Sequence, residues 1–191
     1  MTNPWKLRQR NLVFQNKFGY RLYEDDVLSP SGAEAKYMVL ESLGYVVIVA
    51  LTKDGKVLME KQWRYPVGKE FLELPAGTID LNEDPLMTAQ RELQEEAGAI
   101  SNHWVCLASY WLGNGVMKIK AHVFLAQDIE FVKKSPESNE KITIESMDFD
   151  HAIKMITECQ IDEERTITGL LLAEKYLTLH STAPLSPSLP R

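Results

Sequence analysis

An α/β protein is predicted, a mixed sheet flanked by helices, and three features of the sequence predict it. Short extended segments rich in Val, Ile, Tyr and Phe alternate with turn dipeptides such as Asp54-Gly55 and Asn114-Gly115. One of them, Tyr45 to Thr52 (YVVIVALT), is a nearly continuous β-branched run suited to a central strand. Between extended segments lies one strongly punctuated helix, Pro85 to Ala97. Asp84 precedes it as an N-cap, Pro85 takes the first helical position, and Gly98 stands where a left-handed residue ends a helix.

The remaining elements follow in order. From Leu12 to Glu41 the segments LVFQN, YRLYEDDVL and EAKYMVLE read as an antiparallel meander, with turns at Asn16-Lys17 and Ser29 to Gly32. YVVIVALT, Asp54-Gly55 and KVLMEKQWRY then read as a hairpin nearest the core. Pro66, Val67 and Gly68 break that ladder, and FLEL leads through Pro75-Ala76-Gly77 to the helix. WVCLASYW, KIKAHVFLAQ and ITIESM supply further strands. The polar stretch Lys133 to Lys141 is a loop and a candidate mobile lid. Asp148 or Asp150 can cap a helix near HAIKMITEC, and Asp162-Glu163-Glu164 place negative charge at the start of ERTITGLLLAEKYL, whose Leu170, Leu171, Ala173 and Leu177 suit core packing. The expected organisation is N-terminal strands over residues 1–42, one domain over 43–180 and a flexible tail over 181–191.

Composition narrows the function. With 191 residues, 45% of them hydrophobic, the chain is long enough to bury one core. A net charge of −6 without a basic run argues against nucleic acid or an anionic membrane as partner. Cys106 and Cys159 lie in apolar patterns and are expected as buried free thiols. No apolar core follows a basic start, and the longest apolar run, Tyr45 to Leu51, is too short to span a bilayer, so a cytoplasmic protein is expected. The four histidines show no paired spacing, which makes a histidine-based mechanism unexpected.

The helix carries the chemistry. Leu86, Ala89, Leu93 and Ala97 form one apolar stripe, while Glu92, Glu95 and Glu96 crowd a flank. Like charges three or four residues apart destabilise a helix by a few tenths of a kcal/mol per pair, so the cluster asks for a cation. Arg91 is expected to hold Glu95, leaving Glu92 and Glu96 for a metal. Oxygen ligands without Cys or His favour Mg²⁺, with Mn²⁺ as a substitute, and Mg²⁺ commonly completes its shell with water and substrate phosphates. For RELQEE alone, a merely solvated acidic face accounts for the residues equally well.

The longer pattern is more specific. Gly77, Glu83, Arg91-Glu92-Leu93, Glu95-Glu96 and Gly98, in the stretch GTIDLNEDPLMTAQRELQEEAGA, resemble the signature of the Nudix hydrolases; Ala99 departs from the family's usual larger aliphatic. KQWRYPVG followed by ELPAG is similar to the ADP-ribose pyrophosphatase branch. The resemblance implies a Nudix α/β/α sandwich and hydrolysis of ADP-ribose or a related nucleoside diphosphate sugar. It implies Mg²⁺ held by the Ala76 carbonyl, Glu92 and Glu96, with Glu95 in support, and a diphosphate contact from Arg64. The branch's lid glutamate, a candidate general base, matches Glu140, with Glu137 as the register-shifted alternative. It also implies a homodimer whose N-terminal strands help form the nucleoside pocket. Trp5, Tyr20 and Tyr23 in that arm could stack on a base, although an aromatic in a strand more often serves packing. Many ADP-ribose members carry a proline after the signature; none occurs here between Pro85 and Pro136, so GDP-mannose or a dinucleotide stays open as substrate. A noncatalytic ADP-ribose-sensing module is the other alternative, and it would not need the complete carboxylate cluster.

Overall fold

The computed structural model describes residues 3–133 and 142–180. Three strands open the chain, β1 (Lys6–Gln15), β2 (Arg21–Leu28) and β3 (Glu34–Glu41), and they form the expected antiparallel meander. Asn16 builds its first turn by accepting from the N–H groups of Phe18 and Tyr20 with one side-chain oxygen. There follow β4 (Tyr45–Ala50), β5 (Lys56–Arg64), β6 (Lys69–Glu73), β7 (Ala76–Thr78), α1 (Pro85–Ala97), β8 (Ala99–Ile100), β9 (His103–Leu112), β10 (Met117–Gln127), β11 (Glu130–Phe131), β12 (Thr143–Asp148), α2 (Phe149–Thr157) and α3 (Glu164–His180).

The larger sheet has the order β1-β2-β3-β10-β4-β7, with β9 also paired to β10. Strand β10 runs parallel to two strands in succession: Met117 and Lys118 pair with Leu40 and Glu41 of β3, then Ala121 to Ala126 pair with Tyr45 to Ala50 of β4. Gly44 makes the joint between them. Its φ is 97°, and the Lys120 carbonyl occupies the place a Cβ would need, so only glycine fits. A second, antiparallel sheet has the order β12-β5-β6.

The hairpin expected from YVVIVALT and KVLMEKQWRY does not form. The Asp54-Gly55 turn is present, with Thr52 N–H bonded to the Lys56 carbonyl at 2.9 Å and a single bridge from Leu51 to Val57, but the strands then part into different sheets. Burial explains the divergence. Val46 to Ala50 are completely buried, so both faces of β4 need apolar cover and both edges need sheet partners, which β10 and β7 provide. On one face Val46, Ile48 and Ala50 meet Ala89, Leu93 and Ala97 of α1. On the other, Val47 and Val49 meet Leu74, Val123 and the α3 residues Leu170 and Ala173. Helices therefore cover both faces of β4, and the α/β class with a mixed sheet is the one observed.

Two local expectations are also corrected. Cys106 and Cys159 are free but exposed. Cys106 sits opposite a register shift between Val123 and Phe124, and Cys159 has a left-handed φ of 55° in the turn after α2, so neither follows the inward face its apolar neighbours suggest. Asp148 occupies the N-cap position of α2 without a side-chain capping bond, while Asp150 lies in the first turn, where its charge alone favours the helix dipole. Among the described residues, no helix is long and apolar enough to cross a membrane.

Candidate active site

The site begins at β7, the edge strand beside β4. Ile48 N–H donates to the Pro75 carbonyl at 2.9 Å, and Ile79 N–H donates to the Gly44 carbonyl at 3.1 Å. Antiparallel bonding alternates, so Ala76 and Thr78 turn their backbone polar groups away from β4. The Thr78 carbonyl accordingly accepts from Arg91 Nη2 at 3.4 Å. The Ala76 carbonyl opens to the same side. Between them, a Cβ on Gly77 would overlap the Glu92 carboxylate, so glycine is what lets α1 lie this close to the strand.

Helix α1 forms as its punctuation predicts. Asp84 Oδ1 accepts from Leu86 N–H at 2.9 Å, and Gly98 has the left-handed φ of 61° and bonds the Gln94 carbonyl. Ala89, Leu93 and Ala97 are buried on the core face and Leu86 is partly buried. Thr88, which the stripe did not include, is also buried, and its hydroxyl donates to Glu83 at 2.8 Å. Fixing that face turns Glu92, Glu95 and Glu96 toward a cavity of about 580 Å³ that Ala76, Gly77 and Thr78 also line.

Arg91 does more than hold Glu95. Its Nε and Nη2 donate to Glu83 at 3.1 and 3.0 Å, and Nη1 donates to Glu92 at 2.8 Å and to Glu95 at 3.2 Å. The expectation that it would serve Glu95 and leave Glu92 apart is therefore corrected: a fork with five N–H donors reaches the preceding loop as well as its own helix. The hydrogen bond from Arg91 holds the Glu83 carboxyl down at about 2. Burial pushes Glu92 up, against the opposing pull of Arg91. A carboxylate whose charge is disfavoured by burial gains much from a nearby cation.

Two further arginines line the same cavity, each paired with glutamate. Arg64, at the end of β5, grips Glu73 with Nε at 2.9 Å and Nη2 at 2.5 Å. Arg165, from the first turn of α3, donates from Nη2 to the same Glu73 at 3.0 Å and from Nε to Glu163 at 2.6 Å. Both arginines line the cavity, as do Tyr20 and Tyr45. Of the three candidate stacking aromatics only Tyr20 reaches it; Tyr23 lies under Arg10, and Trp5 packs edge-on against Tyr37. Arg165 and Glu73 escaped the sequence reading because their contact spans 92 residues. The available signal was a single acid inside the otherwise apolar FLEL. Glu140 and Glu137 lie outside the described residues.

Among the described residues, no three His, Cys, Asp or Glu side chains gather as a ready-made metal cluster. Two carboxylates one turn apart and an outward main-chain carbonyl instead make a partial oxygen shell. Such a set fits Mg²⁺, which keeps several positions for water and phosphate oxygens.

Residues 43–166 match the NUDIX domain. The chain belongs to the Nudix family. Among Nudix relatives, the ADP-ribose pyrophosphatase of Bacillus subtilis (strain 168) is 31% identical over 160 residues, covering 83% of this chain and 84% of its own. The ADP-ribose pyrophosphatase of Mycobacterium tuberculosis (strain ATCC 25618 / H37Rv) is 30% identical over 162 residues, 83% of this chain and 78% of its own. A crystal structure of an ADP compounds hydrolase superposes with a TM-score of 0.82 at 18% identity, over 94% of this chain and 97% of that one, and so shares the Nudix fold.

Proposed function

We propose that this Nudix protein hydrolyses the diphosphate bond of ADP-ribose, or of a related nucleoside diphosphate sugar, to a nucleoside monophosphate and a sugar phosphate. One observation carries the reading: a single cavity is lined both by carboxylates, suited to a metal, and by guanidiniums, suited to phosphate. The ADP-ribose pyrophosphatases among its relatives support the substrate.

Glu92, Glu96 and the Ala76 carbonyl would hold Mg²⁺, for which Mn²⁺ can substitute. When bound, the ion supplies Lewis-acid neutralisation of charge on phosphate oxygens. Arg91 keeps Glu92 and Glu95 in place, and Arg64 binds the diphosphate. Glu140 accepts the proton of the attacking water; this role rests on its position just before the ITIES segment, and Glu137 is the alternative.

The test is release of AMP from ADP-ribose by the purified protein with Mg²⁺, beside a panel containing GDP-mannose and dinucleotides with products identified. AMP and ribose 5-phosphate are expected. Binding of ADP-ribose without turnover would favour the sensing module, and preferential cleavage of another panel member would replace the substrate.

The same proposal includes a partner. Leu7, Leu12, Val13 and Phe14 on the outermost strand β1 are each more than half exposed, and a second copy of the chain would cover them in a C₂ dimer. A truncation beginning at Leu43 should be monomeric by light scattering; a fully active, soluble dimer would refute the arrangement. Exposed free thiols suit a reducing compartment, which supports a cytoplasmic location.

A further inference from the structure

We propose that Arg165 is a second diphosphate-binding group, aimed into the cavity by the buried carboxylate of Glu73 that it shares with Arg64; this rests on the diphosphate reading of the cavity. The starting observation is Glu73 itself. Its side chain is 2% exposed, and a carboxylate so deeply buried is costly unless cations and hydrogen bonds compensate it. Two guanidiniums do so from different elements, Arg64 from β5 and Arg165 from α3.

The second guanidinium is held as a directed group rather than a loose surface chain. Its Nε and Nη2, on one edge of the plane, are occupied by Glu163 and Glu73, and its Cζ lies 5.4 Å from the centre of the Tyr45 ring. The backbone beneath is tied down as well. Thr166, fully buried, accepts from Leu74 N–H at 2.9 Å and donates to Glu163 at 2.8 Å, which fastens the start of α3 to the residue following Glu73. Arg165 nevertheless lines the same cavity as Arg64 and the α1 carboxylates. Glu73 and Glu163 together balance the charges of Arg64 and Arg165, so the pair is stable without a ligand; with the Nε–Nη2 edge of each guanidinium turned to a carboxylate, it is the opposite edge, bearing Nη1, that is suited to phosphate oxygens. Two guanidiniums lining one cavity suit a ligand with two linked phosphoryl groups. Holding them in advance lowers the ordering cost of binding.

The experiment compares Arg165→Met and Arg165→Lys with the wild type for turnover of ADP-ribose with Mg²⁺ and for competitive inhibition by inorganic pyrophosphate, with thermal melts reporting the fold. Arg165→Met is expected to raise both KM and the pyrophosphate Ki about tenfold or more, with kcat changed less. Arg165→Lys should recover part of this, since it keeps the charge and loses the fork. If the Met variant does not fold, the Lys variant alone should still weaken pyrophosphate. Wild-type KM and Ki in a folded variant, or a loss confined to kcat and melting temperature, would make Arg165 a brace for α3 and overturn the proposal. A wild type that cleaves no nucleotide sugar, yet binds pyrophosphate in titration calorimetry with an affinity that Arg165→Met lowers about tenfold or more, would overturn the hydrolase reading and leave Arg165 as a diphosphate group.

Discussion

Two clusters of arginine and glutamate border the same cavity, and they are assembled differently. Arg91 takes its partners locally, Glu83 eight residues before it and Glu95 four after, and Glu83 keeps 21% of its side chain in contact with solvent. Arg64 and Arg165 meet over Glu73, which is almost fully enclosed and reaches Arg165 only because the fold joins residues 92 apart. The local cluster can orient charge on α1 at small cost to the rest of the molecule. The distant one is also a tertiary tie, so damage to it should appear in stability as well as in binding.

The largest effects should come from proton transfer and the α1 carboxylates. Glu140→Gln is expected to cut kcat by roughly 10²–10⁴-fold with little change in KM, and Glu137→Gln to be nearly silent; the reverse pattern in steady-state kinetics would shift the base to Glu137. Glu96→Gln keeps the volume and removes one charge from the proposed metal site, worth several kcal/mol in the transition state, or roughly 10³-fold in turnover. Wild-type activity of that variant at limiting Mg²⁺ would exclude the α1 carboxylates as a metal site.

The two clusters should separate by stability. Glu73→Ala leaves two guanidiniums around an emptied buried position and should cost about 3–5 kcal/mol in denaturant unfolding. Glu83→Gln should cost less, about 1.5–3 kcal/mol for charge-assisted hydrogen bonds. Equal losses would erase the distinction between local and tertiary clusters. Arg64→Ala should raise KM about tenfold if its diphosphate contact is equally strong in ground and transition states; unchanged kinetics would reduce it to a support for Glu73.

The smallest effect is a pH dependence. Glu83 is held at about 2 in the fold against an ordinary 4.5, so the folded state favours its ionised form. Its stabilisation is complete above about 4.5 and is lost as pH falls through about 2. The stability gap between wild type and Glu83→Gln should therefore close across that acid window; a gap constant from pH 6 to pH 2 would mean that the Arg91 bonds do not bias Glu83.

What was legible follows the same division. Helix α1 could be read to the residue because its cap, first-turn proline and terminating glycine are all local, and Ala76 and Gly77 entered the site through the same stretch. The doubly buried character of β4 was legible from composition, but its neighbours were not: a turn signal at Asp54-Gly55 says that the chain reverses, not that both arms stay in one sheet. Cys106 was misplaced because an apolar neighbourhood does not reveal a register shift. Arg91 was assigned one partner because helix spacing takes no account of the loop that brings Glu83 back. Arg165 carried no local mark beyond its acidic neighbours, and only the packing of α3 against the strand junction gives it a role.

The joint at Gly44 has a consequence for how the molecule opens. Strand β3 meets β10 through two residue pairs, whereas β4 meets the same strand through six. The meander β1–β3 is thus expected to open as one unit beside a much longer ladder. In native-state hydrogen exchange its amides should be released together by an opening that leaves the β4–β10 ladder protected. The chain can then loosen its N-terminal strands, and Tyr20 with them, while α1, β4 and β7 at the cavity remain folded.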